Sequence, residues 1–223
     1  ASRPGTAPLS ARPNQTAIHY LVGEDAARLA ASPQLEGFRA RGIEVLLLSD
    51  PVDAFWVSTA AGFDGKPFKS VTQGGVDIKS VPLAEGAEDK PVETSAAAAS
   101  LFARMKQVLE AAVSDVRASE RLSESPACLI AADNALDRRL ERMLAESGRA
   151  DAISRPVLEV NPGHPLVEAL AQRIGHGGDD LTDDMIWLVH DEARLLDGEK
   201  PTDAAAFAAR LTRVLTRAAG QGA

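Results

Sequence analysis

Asp50 and Asp53 follow directly on the apolar run 43–48 (IEVLLL), and they are the side chains best placed in this chain to do chemistry. Open α/β sheets bind ligands beyond the ends of buried strands, so two carboxylates there could hold a metal ion or accept a proton. The same residues have a simpler use, which is the preferred reading: Asp53 can cap the following helix and Asp50 can open a turn. The four histidines, His19, His164, His176 and His190, show neither metal-ligand spacing nor a paired cysteine. His164 lies between Gly163 and Pro165, where it is expected to make a structural hydrogen bond at a helix start, and His190 falls on the charged side of its helix. Gly74 with Gly75, and Gly177 with Gly178, lack the Gly-Lys-Ser/Thr ending of a phosphate loop, and no serine stands in a nucleophile elbow. Cys128, the single cysteine, sits in an apolar run and reads as an inert buried thiol. No catalytic, metal or cofactor site is therefore expected here. The alternative is a small α/β enzyme that uses Asp50 and Asp53 and carries a helical dimer domain.

Composition narrows the partners. A chain of 223 residues allows one or two domains, each with its own core. Lys and Arg number 24 against 32 Asp and Glu, a net charge of −8 with no basic block, which argues against a nucleic-acid partner. A single cysteine permits no internal disulfide, as expected of a cytoplasmic protein. No apolar stretch approaches the roughly 20 residues of a membrane span. Residues 1–13 lack the apolar core of a signal peptide and read as a disordered or appended lead-in. Aromatic residues make up only 4%, so the cores must be aliphatic.

The elements that would position these groups begin with a βαβ pattern. Residues 16–22 are strand-like, Asp25 can cap a short helix over 26–31, and a second helical stretch, 35–41, stops at Gly42. The run 43–48 has the pattern of a strand buried on both faces. A helix to about residue 61 follows, then a turn at Asp64 and Gly65 and short strand candidates at 67–71 and 76–81. This predicts a small α/β layer domain over 14–82 and, from two prolines and clustered acids, a linker over 83–96.

An α+β domain over 97–223 comes next. It opens with a helix over 97–113 whose apolar stripe is Leu101, Met105, Val108, Leu109 and Ala112. Strand candidates at 115–121 and 127–132 are joined by SESP in a hairpin-like connection, and a third strand covers 157–160. Asn134 can cap a helix that stops at Gly148, and a further helix runs over 165–174. Two helices, 182–196 and 203–219, close the chain as a hairpin. On the first, Met185, Ile186, Val189, Ala193 and Leu196 share one face, while Leu181, Leu188 and Leu195 recur every seven residues on another. A helix apolar on two faces needs two partners. The second helix supplies one through Phe207, Leu211, Val214, Leu215 and Ala218. The other partner is either the chain's own domain or a second copy completing a four-helix bundle across a twofold axis.

The helix over 135–146 is strongly amphipathic: Leu136, Leu140, Met143 and Leu144 line one face and Arg138, Arg139, Glu141 and Arg142 the rest. From the residues alone, ordinary packing on the chain's own sheet accounts for that apolar face.

As strings, residues 121–130 (RLSESPACLI) and 156–167 (PVLEVNPGHPLV) resemble the C-terminal domain of the heat shock protein 90 family. Residues 18–24 (IHYLVGE), 31–53 (ASPQLEGFRARGIEVLLLSDPVD) and 63–71 (FDGKPFKSV) resemble the end of that family's middle domain, in the same order. The resemblance runs from about Asn14 to the end and implies a segment of a longer, ATP-dependent chaperone. It implies a homodimer built on the hairpin, with interface candidates Leu181, Ile186, Leu188, Val189, Leu195, Leu196, Phe207, Leu211, Val214 and Leu215. It also implies unfolded or partly folded client proteins as partners, met by Leu136, Leu140, Met143, Leu144, Phe55 and Trp56. ATP, magnesium and the catalytic arginine would belong to parts of the parent chain that precede residue 1. The ending TRAAGQGA, without the acidic pentapeptide of eukaryotic cytosolic members, fits a bacterial member.

Overall fold

The computed structural model describes residues 12–74, 78–84, 86, 95–132, 135–148 and 153–220. The lead-in to residue 11, the start of the strand candidate at 76–81, most of the expected linker and the expected cap Asn134 lie outside the described residues. Within them the chain is a mixed α/β protein with one parallel and one mixed three-stranded sheet.

The first sheet contains β1 (Ile18–Val22), β2 (Val45–Leu48) and β3 (Phe68–Ser70) in the order β2-β1-β3, all parallel. Every residue of β1 is buried, because the central strand is covered on both faces. One face carries α1 (Ala26–Ala30) and α2 (Glu36–Ala40), whose core is Leu21, Leu29, Leu35, Phe38 and Ile43. Asp25 caps α1 as expected, accepting the Arg28 N–H at 2.7 Å, and Gly42 ends α2 at a φ of +59°. The other face takes α3 (Pro51–Thr59) through Ala54 and Val57. The run 43–48 is not buried on both faces: β2 is an edge strand, half-buried, with Leu47 exposed. Three strands leave room for only one at the centre, and β1 takes it. Residues 78–81 form a turn rather than a strand, the Val81 N–H donating to the Ile78 carbonyl at 3.2 Å.

The second sheet holds β4 (Asp115–Ala118), β5 (Ala127–Ile130) and β6 (Val157–Val160). Its order is β4-β6-β5, so the expected hairpin between the first two strands does not form. Strand β6 inserts between them, parallel to β4 and antiparallel to β5. The SESP connection serves another purpose. The N–H groups of Ser123, Glu124 and Ser125 donate to the Glu36 carboxylate at 2.7, 2.8 and 3.2 Å, tying this loop to the first unit. Against one face of the sheet pack α4 (Ala96–Val108, capped by Ser95), α6 (Pro165–Gly175) and α7 (Asp180–Leu196). Leu101, Met105, Leu109, Leu158, Leu170 and Ile186 are the fully buried centre of this core. His164 caps α6, its Nδ1 accepting the Leu166 N–H at 3.2 Å.

The opposite face meets the first unit through polar groups. Buried Glu159 at the centre of β6 accepts from Arg121 at 2.9 Å, Arg117 at 3.3 Å and the Ser119 hydroxyl at 3.1 Å. Arg121 also donates to the Val71 carbonyl at 2.6 Å, the Gln34 side chain donates to the Leu129 carbonyl at 2.6 Å, and the Ala131 N–H donates to the Thr72 carbonyl at 2.7 Å. Cys128 lies buried on this face, and burial pushes its thiol well above the ordinary range.

His190 is not on a solvated side of α7; it is 1% exposed, with neither ring nitrogen hydrogen-bonded among the described residues, though Nδ1 lies 3.6 Å from the Asp191 carboxylate. Burial, reinforced by Arg194, Arg138 and Arg210, pulls it down to about 4. His19 is also buried and is pulled down to about 4 by burial, Lys69 and Arg121. Both rings therefore fold as neutral groups. Their folded values lie below the ordinary 6.5, so the unfolded chain binds more protons between these limits. Stability is expected to be fully present above pH 6.5 and to fall by about 2–3 kcal/mol per histidine as pH drops towards 4. Urea midpoints taken across that interval check this, and a His19→Gln, His190→Gln variant should flatten the dependence.

Candidate functional site

Three surfaces expose or withhold apolar side chains that folding alone does not explain. The first is on α3. Asp50 caps this helix by accepting the Val52 N–H at 3.0 Å, and Asp53 at the third position accepts the Asp50 N–H at 3.4 Å. The two aspartates thus form a capping box in which their expected roles are exchanged: Asp50 caps, and Asp53 supports it. Proline directly after Asp50 explains the exchange, since it suits the first helical position. With Ala54 and Val57 turned to the sheet, the helix presents Val52, Phe55 and Trp56 to solvent, Trp56 at 50% exposure. Trp56 leans on Phe68 with ring centroids 5.4 Å apart, and Phe63 stands exposed in the turn at Asp64 and Gly65. Neither Phe55 nor Trp56 is a core residue.

The second surface is α5 (Arg138–Glu146), shorter than the helix expected and capped by Asp137. Its apolar residues do not form one open stripe. Leu136 precedes the helix and is exposed, Leu140 is buried, and Met143 and Leu144 are half-buried. Met143 packs on the cluster of Tyr20, Val22, Ala54 and Val57 in the first unit. The charged side is not freely solvated either. Arg138 and Arg142 each pair with Asp197 at 3.1 Å and also with Glu199, just beyond the end of α7. Arg194 joins Glu199 at 2.9 Å. These acids lie 55–61 residues from their arginines, so the sequence pattern of α5 could not reveal them.

The third surface is the hairpin of α7 and α8 (Ala204–Gly220). One face of α7 is core through Ile186, Val189 and Ala193, as its spacing predicts. Its second face, Leu181, Leu188 and Leu195, is half-buried to exposed, and Leu196 is exposed. Polar contacts fix α8 to α7: Arg213 forks onto Asp184 at 2.6 and 2.7 Å, and Arg210 lies 4.6 Å over the Trp187 ring. Yet α8, with 17 residues, has none buried. Phe207 and Val214 are half-buried, Leu211 is exposed, and Leu215 is 58% exposed. Helices of this length draw most of their stability from packing an apolar face, and on α8 Leu211 and Leu215 stay uncovered among the described residues.

Among the described residues no cluster of three or more His, Cys, Asp or Glu could hold a metal, and no helix is long and apolar enough to cross a membrane.

The Hsp90 protein family model matches residues 10–222. Chaperone protein HtpG of Nitrobacter hamburgensis is 53% identical over 204 residues, covering 92% of this chain and 32% of that protein. Chaperone protein HtpG of Mesorhizobium japonicum is 50% identical over 210 residues, covering 93% and 33%. The same protein of Rhizobium meliloti is 50% identical over 204 residues, covering 92% and 32%. The chain spans about a third of the length of these curated relatives.

Proposed function

Because the chain belongs to the Hsp90 family, we propose that it serves a molecular chaperone as the segment that pairs two copies and offers part of the client-binding surface. Residues 14–82 are assigned to the end of a middle domain, 83–96 to a linker and 97–223 to a C-terminal dimerisation domain. The observation that carries pairing is α8, a long helix without one buried side chain, beside a second stripe of α7 that is half-buried to exposed. A second copy across a twofold axis would cover both and complete a four-helix bundle. The segment works by binding rather than by chemistry. ATP, magnesium and the closure they drive are assigned to other parts of the longer protein, in the cytoplasm. Both carboxylates of the competing enzyme reading are engaged in a capping box, which favours the chaperone reading.

Unfolded or partly folded clients would meet the exposed Val52, Phe55 and Trp56, where aromatic side chains supply contact area at little entropic cost. Replacing Phe55 and Trp56 together by serine is expected to weaken binding of a permanently unfolded protein, such as reduced and carboxymethylated α-lactalbumin, about tenfold. Fluorescence anisotropy of labelled client measures it. Unchanged affinity would remove this patch from the site, and the thermal midpoint should hold because both rings face solvent.

A further inference from the structure

Helix α5 is suspended between two other parts of the molecule, and its cap does two jobs. One oxygen of buried Asp137 accepts the N–H groups of Arg139 and Leu140 at 2.9 and 3.1 Å, closing the helix start. Its other oxygen accepts the Thr72 hydroxyl at 2.7 Å and the Ser70 hydroxyl, both from the end of β3 and both buried. The docking bonds and the capping bonds thus use different atoms. Losing the hydroxyls frees the helix from the first unit without uncapping it.

The remaining attachments are of three kinds, one of them the ion pair of Arg139 with Glu24 of the first unit. Met143, half-buried, is the α5 side chain seated on the Tyr20 and Val57 cluster beneath α3. On the far side, the ion pairs of Arg138 and Arg142 with Asp197 and Glu199 hold α5 to the turn of the α7–α8 hairpin. The first unit therefore holds this helix by hydroxyl bonds, one adaptable apolar contact and one ion pair whose Glu24 is exposed to solvent. Water can take over most of these at modest net cost, whereas the hairpin holds the helix by four largely buried ion pairs.

We infer that α5 has an undocked position, and that the Asp137 contact with Ser70 and Thr72 is an autoinhibitory latch. Docked, the helix keeps Met143 and Leu140 inside the molecule; released, it stays tied to the hairpin turn by its ion pairs and presents them to an unfolded polypeptide beside the Trp56 patch. This rests on the client-binding reading above and adds its regulation.

Two variants test the latch in the full 223-residue chain: Ser70→Ala with Thr72→Val, and Asp137→Ser, which keeps a capping oxygen but leaves no second one for the Ser70 and Thr72 hydroxyls. Amide hydrogen exchange without client should speed up about tenfold over α5 while α4, α6 and α7 stay unchanged. Affinity for carboxymethylated α-lactalbumin should rise about three- to tenfold as the docked population falls. If exchange over α5 is unchanged in both variants, the latch does not exist. Faster exchange with weaker client binding would show the docked face to be the binder and overturn the inhibitory role. Faster exchange with no client binding in any variant, wild type included, retires the chaperone surface itself, leaving only a loosely held helix. Should the double variant lose its fold throughout, Asp137→Ser decides alone.

Discussion

Replacing Leu215 by glutamate is expected to halve the mass seen in sedimentation, and Leu211→Glu to do the same. Leu215 and Leu211 are exposed in the single chain, four residues apart on α8, so neither change removes a side chain from its core. In a twofold bundle each substitution appears twice and forces two carboxylates against leucines from the partner copy. Burying an unpaired charge costs several kcal/mol, and two such losses weaken association by about a thousandfold or more. At micromolar protein the variants should therefore be monomers. Their sheets, and the core around Met105 and Ile186, should melt as in a monomeric wild-type reference. An unchanged mass for both would discard the bundle and leave the bare face of α8 to some other cover.

Glu159→Ala is expected to produce the largest loss of folding stability of any single change at a charged residue, about 3–5 kcal/mol. The carboxylate is buried in the central strand β6 and answers Arg121, itself buried, at 2.9 Å, with Arg117 and the Ser119 hydroxyl completing its shell. Removing it leaves the Arg121 guanidinium inside the protein with the Val71 carbonyl at 2.6 Å but no counter-charge. Since a domain of this kind has only about 5–15 kcal/mol to lose, the variant would forfeit a fifth of that margin or more. Urea denaturation at pH 7.5 measures the loss, and a change below about 1 kcal/mol would show that water reaches Arg121 freely.

The helices were legible in the sequence because their ends are written locally. Asp25, Ser95, His164 and Asp203 stand at starts, and Gly42, Gly148 and Gly198 stand at stops with positive φ. The strand order was not legible. Residues 115–118 and 127–130 look like hairpin partners by proximity, but their shared neighbour arrives about thirty residues later, and periodicity carries no information about pairing. The two faces of α7 showed through a seven-residue leucine spacing, since that stripe depends only on its own helix. Charge was the least legible property. Arg138, Glu141 and His190 look like solvated positions on a helical wheel, and each is buried because its surroundings come from distant segments. The cap falls on Asp50 rather than Asp53 because Pro51 suits the first helical position, a local signal present in the sequence. Glu36 gave no signal at all, because its site is a loop's backbone rather than a set of side chains.

The order β4-β6-β5 has a consequence for how a ribosome must deliver this chain. Strands β4 and β5 leave the exit tunnel first, and neither has its partner until residues 157–160 follow. For that interval Leu129 and Ile130, later wholly buried, lie on strands whose hydrogen-bonding edges are open. The sheet cannot zip progressively from one end as a meander can; it closes in a single late event when β6 slides between waiting neighbours. The chain thus passes through a stage of open strand edges during its own synthesis.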